Sequence, residues 1–326
     1  MVKVEYSKPD EYGQKHPIES PELIKEALAE LDAELSKLPE DSGWKQAKKN
    51  CAPELVDDEH KLTFLRCEVF KVNLALKRIV KYWDKRIEIY GEDKAFLPIT
   101  LSAEDEHVYK RGMIKYHRGA HDKTGRSIIF ADAGKQDNSK YTRKQAVRVL
   151  WYIAHECLRS PASKVSQKKG YIFFLFNRHA KFSQFDRQLG QMGASSIRGC
   201  LPCRISAIHI LDPPTFFRAT LALMKVFVGP LLKRNHVHPG SNQRVVASLE
   251  KMHFTKENIP SEVGGDYSID YEAELEERKQ EWKEQAEKEQ AEKLEAEKPA
   301  TQEAEKADQK QDEMMVEPDI ADEMEE

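Results

Sequence analysis

The chain has no apolar run approaching the ~20 residues needed to span a bilayer. Its opening stretch, MVKVEYSKPDEYGQK, contains nothing like the apolar core of a secretory signal, so a cytoplasmic protein is expected. Cysteine is scarce. Cys51, Cys67, Cys157, Cys200 and Cys203 make an odd number without framework spacing, which argues against a disulfide-stapled extracellular domain and for reduced thiols. No Ser/His/Asp order, phosphate-cradling glycine loop or paired-carboxylate motif stands out, and no catalytic group is expected. Repeats at solenoid spacing are also missing.

What is present is length and charge. With 326 residues, one large domain or two ordinary ones are expected, with ample chain for a core. The net charge of −4 hides an asymmetry: residues 271–326 hold 22 acidic and 8 basic residues, a net −14, leaving +10 on residues 1–270. A basic body favours anionic membrane surfaces or nucleic acid, and composition does not choose between them. The basic stretch KYTRKQAVR lacks interleaved aromatics and reads equally as a solvated helix face, so a nucleic-acid partner is not expected.

Hydrophobic periodicity divides the chain. Residues 1–19 read as a flexible lead-in. Ser20-Pro21 opens a helix, with Ser as N-cap and Pro in the first turn, where its missing N–H costs nothing. Ile24, Ala27, Leu28, Leu31, Leu35 and Leu38 then share one face. A second helix starts near Asp57-Asp58. A third runs from Val72 to Tyr90 with Val72, Leu76, Ile79, Val80, Trp83 and Ile87 on one stripe. Residues 20–105 therefore read as an all-helical subdomain. Over 106–268 the period alternates. GRSIIFADAG reads as a turn and strand, Thr142 to Arg159 as a helix, and GYIFFLFN and RISAIHILD as strands apolar on both faces, as in a parallel α/β sheet. Residues 269–326 form an acidic tail. Its first part favours a solvated helix with Glu274–Arg278, Glu284–Lys288 and Glu289–Lys293 pairs, and its charge predicts disorder beyond Pro299.

Three stretches invite a chemical reading. Cys200-Leu201-Pro202-Cys203 has redox or zinc spacing, but it precedes its strand where a thioredoxin-type pair would follow one, and no second pair completes a zinc site. A structural role is expected. His236 and His238 alternate along a short extended segment without an acidic or cysteine partner at set spacing, and read as strand-end residues. Thr215 to Val228 is apolar on almost every side except for one line bearing Arg218 and Lys225. Either it is a core helix whose two cations reach water, or it is a mobile lid over an apolar cavity, and periodicity does not separate the two.

Four blocks, in order, carry a resemblance: DDEHKLTFLRCEVFKVNLALKRIVKYW, DKTGRSIIF, LPCRISAIHILDPPTFFRATLALMKVFV and ENIPSEVGGD. Over roughly residues 50–268 the chain resembles the CRAL-TRIO lipid-binding family, which includes retinaldehyde-binding, tocopherol-transfer and phosphatidylinositol-transfer proteins. The resemblance implies an α/β fold: an N-terminal helical subdomain followed by a lipid-binding domain whose sheet floors an apolar pocket. It also implies that residues 215–228 are a gate helix that swings outward at membranes. The pocket and gate residues would be Phe217, Leu221, Leu223, Met224, Phe227 and Val228, facing strands that bear Phe174, Phe176, Ile208 and Ile210. Arg204, Lys233 and Arg234 would meet membrane headgroups. The positions that hold the headgroup in phosphatidylinositol-transfer members read Glu68, Cys203 and Asn235 here, and a Glu facing a phosphate would repel it.

The expected function is non-catalytic binding, transfer or presentation of one hydrophobic lipid by a protein that docks transiently on membranes, with the bound lipid in place of a cofactor. A regulatory adaptor that recruits a basic protein partner through its acidic tail is the alternative, and a thiol oxidoreductase using Cys200 and Cys203 is a third reading.

Overall fold

The computed structural model describes residues 3–217, 219, 222, 229–268, 270–284, 287 and 288, and the side chains of His117 and residues 230–232 lie outside that description. The chain forms two compact units, Met1–Ile269 and Asp270–Glu326. In the second, a helix occupies residues 271–284, where Glu274 and Arg278 pair one turn apart. Glu284 Oε1 accepts from Gln280 Nε2 at 2.8 Å, while the sequence-predicted pair Glu289–Lys293 and the expected disorder past Pro299 involve residues outside the description.

The first unit begins with helices: α1 (Pro21–Ser36), α2 (Gly43–Asn50), α3 (Asp58–Cys67), α4 (Val72–Tyr90), α5 (Glu92–Ala95) and α6 (Ala103–Lys110). Local chemistry sets their starts. Ser20 Oγ accepts the Leu23 N–H at 3.1 Å with Pro21 in the first turn, and Asp57 Oδ1 accepts the His60 N–H at 2.7 Å. α4 ends at Gly91, whose φ of 79° lies in the region that favours glycine. The buried stripe of α4 includes Tyr82 and Arg86, which its apolar period does not mark.

A five-stranded sheet follows, ordered β1 (Ile114–His121), β2 (Ser127–Asp132), β3 (Tyr171–Phe176), β4 (Ile205–Leu211) and β5 (Asn235–His238). β1 runs antiparallel to β2, and the other neighbours are parallel. The crossovers use α7 (Arg143–Arg159) and α8 (Lys164–Lys169) between β2 and β3, then α9 (Arg187–Gly199) between β3 and β4. Right-handed crossovers through sequentially ordered parallel strands put α7 and α9 on the same face, and Trp151 Nε1 of α7 donates to Ser196 Oγ of α9 at 3.1 Å. The helical segment joins that layer: Tyr82 stacks on Trp151 at 5.3 Å and donates to His155 Nε2 at 2.7 Å.

After β5, helix α10 (Asn242–Glu250) covers the opposite face. Its Val245, Val246 and Leu249 share one core with Ile172, Phe174, Phe176, Ile128, Phe130 and Phe254. The chain closes that core at Gly264-Gly265. Gly264 is left-handed at φ 103°, and a Cβ on Gly265 would overlap the Ile259 carbonyl.

Residues 3–19 differ from the loose lead-in expected of them. Arg126, fully buried, pairs with Asp10, Glu11 and Asp122, and Gln14 Nε2 donates to the Ser206 carbonyl at 2.7 Å. Burying that guanidinium demands carboxylate partners, and the lead-in supplies two of the three.

Candidate functional site

Parallel pairing sets Phe173 beside Ile208, Phe174 beside His209 and Leu175 beside Ile210. Side chains alternate across a sheet, so Phe174, Phe176 and His209 look one way while Leu175, Ile208 and Ile210 look the other. Phe174 and Phe176 were expected against the ligand. They lie instead in the solid core under α10, where Phe174 meets Phe254 at 4.9 Å and His209 at 5.5 Å. The cause is the alternation of the strand: the hollow lies on the face of Leu175, Ile208 and Ile210, and these two phenylalanines point to the other.

Leu175, Ile208 and Ile210, with Leu189 of α9, Phe185 and Phe217, line an apolar hollow of about 350 Å³. That volume is at the lower end of small-molecule sites. Ile208, Ile210 and Phe217 are all among its lining residues. Leu221, Leu223, Met224, Phe227 and Val228 lie outside the described residues. Two residues at the hollow's polar edge come from strand ends: Asn235, and Asp132, whose carboxyl burial pushes upward in pKa.

β4 leaves the sheet through Asp212, a non-glycine residue at φ 44°. Its carboxylate accepts from Arg178 Nε at 2.5 Å and from the Gly240 N–H at 3.2 Å. These bonds fix the turn from which Pro213-Pro214 starts the segment to Val228. Beside it, Phe182 stands 56% exposed, with its ring 5.9 Å from Phe216 and 6.4 Å from Phe185. Sequence reasoning missed Phe182. The aromatic spacing in FNRHAKFSQF was its only signal.

A second hollow, of about 700 Å³, lies at the start of β4 and is basic: Lys15, Arg78, Arg198, Arg204, Lys233 and Arg234 line it with a single carboxylate, Glu68. Glu68 is bound to Arg78 at 2.5 Å, and the same guanidinium donates to the carbonyls of Ile197, Leu201 and Arg198. Glu68 is therefore neutralised by a cation spent on structure, which removes most of the repulsion expected of it. Arg204 and Arg234 both face this hollow, and Lys233 is exposed at it. Of the three departures from the phosphatidylinositol pattern, Glu68 and Cys203 line the basic hollow, whereas Asn235 lines the apolar one. A third hollow, of about 640 Å³ between α4 and α9, is lined by Lys81, Asp84, Lys85 and Glu88, a charged wall unsuited to a hydrocarbon chain.

The remaining candidates carry no chemistry here. Burial raises the thiol pKa of Cys200 and of Cys203, and that of Cys67 to about 11, opposite to what a reactive thiol needs. All five cysteines are free. His236 and His238 stack with His209, which accepts or donates to His238 Nε2 at 3.0 Å, and His238 Nδ1 reaches Ser248 Oγ at 2.8 Å. Among the described residues no group of three or more His, Cys, Asp or Glu could hold a metal ion, and no helix is long and apolar enough to cross a membrane.

Residues 110–265 match the family profile of the CRAL/TRIO domain, and over that stretch the chain is similar to the CRAL-TRIO lipid-binding family. Among curated proteins it is similar to clavesin-2 of Homo sapiens and of Rattus norvegicus, each 23% identical over 256 residues, covering 76% of this chain and 74% of theirs. It is also similar to tyrosine-protein phosphatase non-receptor type 9 of Mus musculus, 22% identical over 149 residues, which span 46% of this chain and 24% of that protein. The crystal structure of Sfh5 aligns over 68% of this chain and 82% of its own with 14% identity and a TM-score of 0.42, a likeness too slight to carry argument.

Proposed function

We propose that this chain holds one apolar lipid in the hollow above Leu175, Ile208, Ile210 and Phe217 and carries or presents it between membranes without chemical change. The observation that carries this reading is the aliphatic hollow on the crossover face of a CRAL/TRIO domain. Removing apolar surface from water is worth ~25 cal/mol per Å², so a hydrocarbon chain needs no catalytic group to be retained. In this reading residues 215–228 are the gate, with Leu221, Leu223, Met224, Phe227 and Val228 facing cargo when closed and lipid when open. Arg204, Lys233 and Arg234 meet anionic headgroups, each contributing about 1 kcal/mol near a charged surface. The exposed ring of Phe182, next to Phe216 at the foot of the gate, enters the bilayer edge during docking.

Native mass spectrometry of the purified full chain tests this. The wild type retains a lipid, and Ile208→Trp, which fills the hollow, does not. Retention unchanged by Ile208→Trp, and by Leu221→Asp with Phe227→Asp, would sink the assignment. The tail, at net −14, fits a basic protein partner. Loss of such a partner on deletion of residues 271–326, with lipid loading intact, separates that role from transfer.

A further inference from the structure

Residues 3–19 precede the CRAL/TRIO match, yet Gln14 and Lys15 among them line the basic hollow. They fold back on themselves: Ser7 N–H donates to the His16 carbonyl at 2.8 Å, and Ile18 N–H to that of Glu5 at 2.9 Å. Between those strands Asp10 Oδ1 accepts the N–H groups of Tyr12 and Gln14 at 2.9 and 2.7 Å, shaping a turn that rests on the Arg126 pair. Tyr12 OH lies 3.3 Å from His209 Nε2, and Gln14 is tied to the backbone of β4. Gln14 and Lys15 consequently line the basic hollow alongside Arg204 and Lys233.

His16 is the junction. Its side chain is 8% exposed, with Nε2 2.7 Å from Asp10 Oδ2 and Nδ1 2.6 Å from Arg204 Nη2. A guanidinium only donates, so Nδ1 is an acceptor and the ring is the neutral Nε2–H tautomer that donates to Asp10. Burial lowers the His16 pKa, opposed by Asp10 and assisted by the charges of Arg204 and Lys169. Arg204 Nη2 also donates to the Lys169 carbonyl at 3.3 Å. Among the described residues its buried Nε and Nη1 find no hydrogen-bond partner. A chain from Asp10 through His16 thus holds Nη2 of the guanidinium and leaves donors on Nε and Nη1 unmet, which an anionic oxygen would satisfy.

We propose that the arm of residues 10–16 is a wall of the anionic-headgroup site, with His16 the positioning residue that sets Arg204 for a lipid phosphate. The proposal rests on the reading that the basic hollow meets anionic headgroups. It goes beyond that reading by assigning part of the site to a segment outside the family match.

A double-mutant cycle on the full chain tests it, reading co-sedimentation with phosphatidylcholine vesicles containing phosphatidylglycerol. His16→Ala and Arg204→Ala should each weaken binding about tenfold, the scale of one hydrogen bond to a charged group. The double variant should bind no more weakly than Arg204→Ala, because His16 acts through Arg204. His16→Asn, whose Oδ1 lies close to the place of Nδ1 and accepts from Arg204, should restore most of the affinity. Wild-type affinity in His16→Ala, or a His16→Ala loss that persists in full in the Arg204→Ala background, overturns the proposal while leaving the headgroup reading intact. A wild type that ignores the charged vesicles overturns both. Should His16→Ala melt out, His16→Phe keeps a ring without the acceptor and takes its place in the cycle.

Discussion

The two faces of the sheet are made by the same central strands and differ in what fills them. Under α10, Phe174, Phe176, Phe130 and Phe254 belong to one buried core, and Phe174 and Phe254 set their rings against His209. On the crossover face, Leu175, Ile208 and Ile210 stand over an apolar space. Aromatic bulk on one side anchors the fold, while shorter aliphatic side chains on the other leave room without exposing polar backbone. Packed core and apolar hollow are thus divided between alternate residues of the same strands.

The largest test of this division is truncation. Phe174→Ala should cost about 4 kcal/mol in urea denaturation, the range for a buried aromatic, whereas Ile210→Ala should cost about 2 kcal/mol or less, because its side chain borders a space that already exists. Equal losses would erase the contrast.

Acid should act on the filled face through His238. Burial, reinforced by His236, lowers the His238 pKa to about 4. An unfolded imidazole titrates near ~6.5. The unfolded chain therefore takes up the proton first, so the stability this neutral histidine contributes is complete above that value and is lost as pH falls toward 4. Between about pH 7 and pH 5 the loss should be about 2 kcal/mol in denaturant melts, and His238→Gln should flatten that slope. An equally steep slope in the variant would assign the effect elsewhere.

Enlargement should reverse the ranking of the faces. Ala207→Leu, in the filled core, should destabilise by about 2 kcal/mol through overpacking, while Ile208→Phe should cost under about 1 kcal/mol by growing into the hollow. A thermal melt shifted equally by both would mean the hollow closes in solution. The smallest effect is expected at the rim: Phe182→Ser should leave folding within about 0.5 kcal/mol, as exposed substitutions do, yet weaken vesicle binding.

Much of this was legible locally. Ser20, Asp57 and Thr142 cap their helices because a short oxygen-bearing side chain before an apolar period satisfies N–H groups the helix cannot. The apolar runs at 171–176 and 205–211 read as strands for the same local reason. Other elements were hidden. β1 carries polar residues and an irregularity between Tyr116 and His121, and its Lys115 is buried only because Glu262, far along the chain, pairs with it at 3.2 Å. α9 contains Gly190, Gly193 and Gly199, which weaken any helix signal, and it forms against α7 with Asp186 capping Leu189. The lead-in residues look polar and loose until Arg126 is seen to need their carboxylates.

In the candidate site, alternation by itself determined that Phe174 goes with Phe176 and Ile208 with Ile210, since side chains on a strand repeat every second residue. It also determined that the stretch beyond Pro214 is too apolar to lie bare in water. Only the tertiary structure decided that Phe174 pairs across to His209 and not to Ile208, that α10 covers their side, and that the hollow opens on the other. Register and layer order come from hydrogen bonds and packing between segments distant in the chain, and no local pattern encodes them.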